Sequence, residues 1–391
     1  MVNMNIQLIP ILILAPVVLE LFISPALAAD PLATWHVRQS PIAPTTEDFE
    51  GVAYGNGRWV IVGGKGTLLS SPDGVQWTAE VNPSGALRLD DVVFASERFV
   101  AIGSGNNLVL TSPDGRRWTK QTPKIGGGGV EIIHDGSRFI TLLAGGFLTT
   151  SIDGAVWESA GRVPTRYTDI GAMTFGGGTY VEIGYKRTGQ PTDLYSAASL
   201  SDWTSRDAAS NENMFGVCYG LGQFVAVGMK GTLITSPDGA TWTPRSVPHT
   251  GFIWDVCVGG DFFAAAGQWG RVLTSPNGVD WVRRETSATD HLTDIAFGNG
   301  MFVAVGWDGQ IVQSDPIAAA PVGFELSQPM RMGDQFQFQF TGTVGQSYQV
   351  QATTDFINWI PMTAVTCTTS PMNCSLPGQG MSHRIYRVIQ Q

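Results

Sequence analysis

A chain of 391 residues is longer than one ordinary compact core, so two domains or a repeat array is expected. Glycine is abundant at 48 residues, only 14% of residues are charged, and no long polar run predicts disorder. The formal net charge of −10 and the scatter of the basic residues argue against a nucleic-acid partner.

Residues 6–28, IQLIPILILAPVVLELFISPALA, are mostly apolar and end in Ala26-Leu27-Ala28, the small-x-small pattern of a cleavage site. Residues 1–29 therefore read as a signal peptide cut after Ala28 or Ala29, which implies a secreted or periplasmic protein. The alternative is a retained anchor, since the run is long and no Lys or Arg precedes it. Pro10, Pro16, Pro25 and Glu20 weigh against a spanning helix. After cleavage no membrane association is expected.

From residue 30 to 316 an aromatic followed by a short apolar run recurs. It reads RWVIVG (Trp59), RFVAIG (Phe99), RFITLL (Phe139), TYVEIG (Tyr180), QFVAVG (Phe224), FFAAAG (Phe263) and MFVAVG (Phe302), at spacings of 40, 40, 41, 44, 39 and 39. Each unit parses into four short strands. In the first, EGVAYG, RWVIV, TLLSS and VQWTAE are separated by GNG, GGKG and PDG. No segment here predicts a long helix, and seven four-stranded units of about forty residues predict an all-β, seven-bladed β-propeller.

The seventh unit stops at QIVQSDP without a tryptophan strand, whereas ATWHVRQ with Trp35 stands near the start of the array. Residues 32–39 are expected to supply the outer strand of blade 7 and fasten the ring, removing two exposed sheet edges.

The turn between the third and fourth strands repeats as SSPDGVQWT, TSPDGRRWT, TSPDGATWT and TSPNGVDWV. Asp73, Asp114, Asp153 and Asp238 suit acceptors of their own backbone amides, the following glycine permits positive φ, and Trp77, Trp118, Trp157, Trp242 and Trp281 suit burial against the blade. In blade 6 Asn277 stands for the aspartate, and blade 4 shortens to Ser199-Leu200-Ser201-Asp202-Trp203. The pattern resembles the Asp-box, or BNR, repeat of sialidases, of some glycoside hydrolases and of photosystem II assembly-factor propellers, over about residues 31–316. It departs from the usual spacing because Gly74 directly follows Asp73. The resemblance implies that the boxes are structural and lie away from any active site.

Function in propellers gathers at one face, on inter-blade connections and on loops between second and third strands. Those loops carry Lys65, Lys230, Trp269, Trp307 and Asp308, and blade 4 has an insertion, GYKRTGQPTD, with Lys186 and Arg187. Acidic residues open the innermost strands: Glu50, Asp90, Asp91, Glu131, Asp169, Asp255 and Asp294. Around a channel mouth they suit a cation or a basic peptide; alternatively each bonds backbone amides of its neighbour. His249 and His291 lie in neighbouring inter-blade loops without a second ligand at metal spacing, so no metal or cofactor is expected.

Sialidase chemistry is implied by the resemblance to need three arginines, a Tyr-Glu pair, an acid/base Asp and an Arg-Ile-Pro motif. None is recognisable here; Arg166, Tyr167, Tyr185, Lys186 and Arg187 are too few and too local. Two readings stand: a protein- or glycan-binding scaffold without catalysis, which is preferred, and a glycoside hydrolase or lyase using carboxylates at the channel mouth.

Beyond Pro316, IAAAPVG (317–323) spans the linker at 317–322, and residues 323–391 read as a small β-sandwich, with strict alternation in Gln335-Phe336-Gln337-Phe338-Gln339-Phe340. TTDFINW with the final IYRV is similar to terminal modules of secreted bacterial proteins, which implies a fibronectin-like fold. Cys367 and Cys374 bracket a short loop and are expected to form a disulfide, whereas Cys218 and Cys257, at one position in neighbouring repeats, read as free thiols.

Overall fold

The computed structural model describes residues 30, 32–42, 47–103, 105, 108–122, 128–165, 170–184 and 192–317, and in the C-terminal region 326–332, 335–340, 347–353, 360–369, 372–377 and 385–390. The expected signal segment, Asp169 and the blade 4 residues Lys186 and Arg187 lie outside the described residues. Residues 30–318 form one compact unit, and residues 319–391 belong to another.

The first unit is a closed ring of seven four-stranded antiparallel sheets. Their innermost strands are Phe49–Gly55, Asp91–Ala95, Gly129–His134, Ile170–Gly176, Met214–Gly220, Ile253–Gly259 and Leu292–Gly298, which define blades 1 to 7. Among the described residues there is no α-helix, and none long and apolar enough to cross a membrane. The second strand of every blade is almost wholly buried, because blades stack face to face and both of its faces meet a neighbour.

Blade 7 is completed from the other end of the chain. Trp35–Val37 pairs antiparallel with Ile311–Ser314, with Trp35 opposite Ser314 and Val37 opposite Val312. Leu32 and Trp35 are buried against Phe302, Val312 and Leu292, so the expected fastening is the observed one.

Two further devices set how closely the blades approach. The innermost strands of blades 1, 4, 5 and 7 end in aromatic-Gly pairs, and at Gly55, Gly176, Gly259 and Gly298 an aromatic of the next blade lies where a Cβ would stand: a Cβ on Gly298 would come 2.2 Å from Tyr54, closing the ring between blades 7 and 1. Similarly, a Cβ on Gly306 would come 1.9 Å from the His291 carbonyl, because the second strand must pass under the inter-blade connection.

The tryptophan turn is one construction repeated. Ser71 Oγ accepts the Gly74 N–H at 2.8 Å, Asp73 Oδ1 accepts from Val75 and Gln76 at 2.8 and 2.9 Å, and the Trp77 indole N–H donates to the Gly74 carbonyl at 3.0 Å. The indole bond recurs at Trp118, Trp157, Trp242 and Trp281. Asp114, Asp153, Asp238 and Asn277 each take the same two amides. In blade 4 Trp203 still reaches the Leu200 carbonyl, and in blade 7 Trp35 reaches that of Leu32. The indole-to-carbonyl bond therefore survives where the Asp-Gly pair is lost.

Among the described residues the C-terminal region holds six strands in two three-stranded antiparallel sheets, and Gln335–Phe340 is the central strand of one. The Cys367–Cys374 disulfide expected above is not formed in this structure. Cys367 is a buried free thiol donating to the Thr369 carbonyl at 3.1 Å, and the Cys374 side chain lies outside the described residues. A six-residue gap makes pairing sterically open without enforcing it, since Cys374 sits inside a paired strand, opposite Phe338, whose register is set by the sheet. Cys218 and Cys257 are free thiols.

Candidate functional site

Blade geometry sorts the acidic residues of the innermost strands into two groups. At one register position, opposite the same residue of each second strand, stand Gly51, Asp91, Glu131, Ala172, Gly216, Asp255 and Asp294. Each of the four carboxylates there accepts a backbone N–H from the next blade. Asp91 takes Ile132 at 2.8 Å, Glu131 takes Met173 at 3.0 Å, Asp255 takes Ile295 at 3.2 Å and Asp294 takes Val52 at 2.5 Å. The preceding residues Glu50 and Asp90 point to the other side of the strand, as alternation requires, and both pair with Arg88. The register group clasps neighbouring blades where a bulge frees an amide in blades 1, 3, 4 and 7.

These clasps are crowded with negative charge. Burial pushes Asp91 and Glu131 well above the ordinary carboxyl range, helped by Asp294 and Asp91 respectively. Asp255 is pushed well up by burial, then by the Asp294 charge and the hydrogen bond it donates to Asp294; Asp294 is raised by burial and held back by that bond. This carboxyl pair spans blades 6 and 7.

The sign of the pH dependence follows. A carboxyl whose folded pKa exceeds its unfolded value contributes stability fully present below about pH 4 and lost as pH rises toward the folded value. Glu50 and the buried Glu182 are raised in the same sense, first by burial. His134 and His249, lowered by burial, act oppositely below about pH 6.5, but they are two imidazoles against seven raised carboxyls among the described residues, Asp308 being the seventh. The melting temperature at constant ionic strength is expected to fall from about pH 5 to about pH 8. Asp255→Asn should flatten that fall, because its Nδ2–H replaces the donated O–H and its Oδ1 keeps the Ile295 amide. A wild-type melting temperature that rises over this interval contradicts the raised carboxyls.

At the loop face, the second-to-third-strand loops are tied to the inter-blade connections by one recurrent bond: Gly64 N to Asp48 O, Met229 N to Asn213 O, Gln268 N to Phe252 O and Trp307 N to His291 O. Lys65, Lys230, Trp269 and Asp308 all take positive φ at the second position of these turns, while Trp307 occupies the first. Lys65 is ion-paired with Glu47, and Lys230 with Glu212 at 2.9 Å. These two of the three expected binding lysines therefore neutralise the connection beneath them.

Trp269 and Trp307 differ: they are 54% and 39% exposed, and they edge an aromatic cluster over blades 5 to 7. Phe215 stacks on Trp254 at 4.6 Å, Phe252 meets Trp254 edge-on at 5.3 Å, Trp254 lies 6.4 Å from Trp307, and Trp307 stacks on His291 at 4.3 Å. His249 packs edge-on to Trp269, and the Trp269 amide donates to His291 Nδ1 at 3.4 Å. Of these rings the sequence singled out Trp269, Trp307 and the two histidines and missed Phe215, Phe252 and Trp254. Phe215 and Trp254 occupy the position of Glu50 and Asp90, so an aromatic in place of an acid was the available signal.

Beside Trp307 the surface is acidic. Asp308 hydrogen-bonds Asp290; it is raised by desolvation, then by Asp290. The Asp308 amide donates to Asp48 Oδ1 at 3.2 Å. Elsewhere a polar cleft of about 280 Å³ at the base of the blade 4 insertion is lined by Thr192, Asp193, Arg206, Asp207 and Ser210.

No family model and no curated protein matches this chain. Solved structures do. A structure titled YCF48 bound to D1 peptide superposes with a TM-score of 0.59 at 19% identity, covering 74% of this chain and 98% of that one. The WD40 propeller domain of Doa1 gives 0.54 at 13%, covering 72% and 95%. The computationally designed Ika8 protein gives 0.51 at 10%, covering 70% and 98%. The chain is a β-propeller. At these identities the likeness shows the fold, and the Asp-box resemblance rests on the turns themselves.

Proposed function

We propose that this chain is an exported, non-catalytic propeller that holds a segment of a partner protein on its loop face at blades 5 to 7. The observation that carries this reading is the half-exposed aromatic cluster of Phe215, Phe252, Trp254, Trp307 and His291, drawn from three blades onto one surface. Exposed large aromatics grouped in this way mark interaction surfaces, since tryptophan supplies much contact area at low entropic cost. A structural neighbour is a propeller solved with a bound peptide, which supports the same class of partner. Export rests on the apolar run ending in Ala26-Leu27-Ala28. The hydrolase reading finds the channel carboxylates already engaged with backbone amides of neighbouring strands.

The test is affinity isolation with wild type, with Trp269→Ala/Trp307→Ala, and with Val156→Asp on the exposed tryptophan turn of blade 3 as a control. One partner should be retained by wild type and control and lost by the double variant. Retention by all three, or polysaccharide turnover abolished by one Asp→Asn or Glu→Gln change, removes this reading.

A further inference from the structure

We propose that the blade 7 edge of this surface is a seat for one basic side chain, an arginine or lysine of the partner segment, laid over the Trp307 indole with its charge among Asp48, Asp290 and Asp308. The inference rests on the peptide-binding reading above and specifies the chemistry of the ligand.

Trp307 is fixed from below by its stack on His291 and by its amide bond to the His291 carbonyl, so its outward face is presented rather than mobile. A cation is attracted to the face of an indole more strongly than to any other aromatic side chain. The next residue, Asp308, is held in the left-handed region at φ 51° by the turn. Asp290 comes from the connection before blade 7 and Asp48 from the connection before blade 1, so two connections bring acids to Asp308, the residue after the tryptophan. Lys65, on the blade 1 loop, is ion-paired with Glu47.

The charge is in excess of local need. Beyond desolvation, the negative charges of Asp290 and Asp48 push Asp308 up, with no lysine or arginine among the groups acting on it. Asp48 accepts one amide, and Asp290 Oδ1 accepts the His291 amide and lies 3.5 Å from His291 Nδ1, leaving acceptor capacity on each carboxyl. Among the described residues no three ligating side chains converge at metal distance, which favours an organic cation. A guanidinium matches best: its plane stacks on indole while its edge donates to two carboxylates. The neighbouring Phe215, Phe252 and Trp254 then take an apolar residue of the same segment, and the overall charge of −10 favours approach of a basic chain.

The experiment is a peptide-array selection on the full chain, followed by titration of the selected peptide and its arginine-to-citrulline analogue, which keeps shape and removes charge. Selected peptides should be enriched in Arg or Lys beside an apolar residue. Citrulline, Trp307→Ala and Asp308→Asn should each weaken binding about tenfold, the arginine peptide should lose affinity with added salt, and Asp308→Asn should melt as wild type since Asn tolerates positive φ. Selection of peptides without basic enrichment, with Asp308→Asn and citrulline indifferent, overturns the cation seat and leaves the peptide reading standing. Selection of no peptide, or binding of neutral oligosaccharides to the Trp307 face instead, overturns both.

Discussion

Deleting residues 30–40 should abolish cooperative unfolding of the propeller and make the protein aggregate. The segment supplies a whole strand: Trp35 to Val37 pair with Ile311 to Ser314, the Arg38 amide donates to the Ile311 carbonyl at 2.8 Å, and the Asp315 amide donates to that of Thr34 at 3.2 Å. Side chains repeat the tie, with Arg38 Nε on Gln313 Oε1 and His36 Nε2 on Asp315 Oδ1, both at 2.7 Å. Without it, Ile311–Ser314 becomes an open, apolar edge, the kind that recruits another chain. Leu32 and Trp35, at 0% and 6% exposure, leave a hole against Phe302 and Val312. Trp35→Ala alone should cost about 3–5 kcal/mol, read as a lower midpoint in urea. Light scattering and melting of the truncated chain give the check. A truncated protein that does not aggregate and melts as wild type refutes the fastening role.

The ring was legible in the sequence because a propeller is a periodic object. One aromatic per unit, from Trp59 to Phe302, marks the second strand, and Trp35 stands out as a tryptophan strand displaced from its unit. The tryptophan turns were legible for the same reason, down to Asn277 replacing an aspartate with the same two amides accepted. The aromatic cluster was not legible in full, because a binding surface is built from what differs between repeats. Phe215 belongs to the inner strand of blade 5, Phe252 and Trp254 to the connection and inner strand of blade 6, and Trp307 to a loop of blade 7; Phe215 and Trp254 share a repeat position, but no repeat ties them to Phe252 and Trp307, and only the stacking of adjacent blades brings all four together. The acidic residues misled in the opposite way. Glu50, Asp90, Asp91 and Asp294 look equivalent as strand-opening acids, yet one residue of offset sends the first two to Arg88 and the others to backbone amides. A two-residue period turns that offset into opposite sides of a strand, so composition near a strand end cannot stand in for register.

The tryptophan turn itself should divide into a large apolar part and a small polar part. Trp118 is 9% exposed, lies 6.3 Å from Phe99, and packs in the cluster that joins Val60, Val62 and Leu68 of blade 1 to Phe99 and Leu110 of blade 2. Trp118→Ala removes that ring from an interface between two blades and should cost about 3–5 kcal/mol. Trp118→Phe keeps most of the ring, forfeits the 3.2 Å bond to the Gly115 carbonyl, and should cost about 1 kcal/mol for that bond. Asp114 acts differently. Burial opposes its charge, but the amides of Arg117 and Arg116 and the Arg117 side chain hold it well below the ordinary carboxyl range. Its contribution is therefore present above the unfolded pKa of about 4 and is lost as pH falls through the lower folded value. Asp114→Ala should cost about 0.5–2 kcal/mol at neutral pH, as loss of a helix N-cap acceptor does. Asp114→Asn keeps the Oδ1 that both amides use, as Asn277 does in blade 6, so it should be nearly neutral at pH 7 and relatively more stable than wild type below about pH 4. Urea unfolding of the four variants at two pH values separates the parts. If Trp118→Ala falls within about 1 kcal/mol of wild type while Asp114→Ala costs more, the turn is held by its aspartate and the indole is ornamental to the fold.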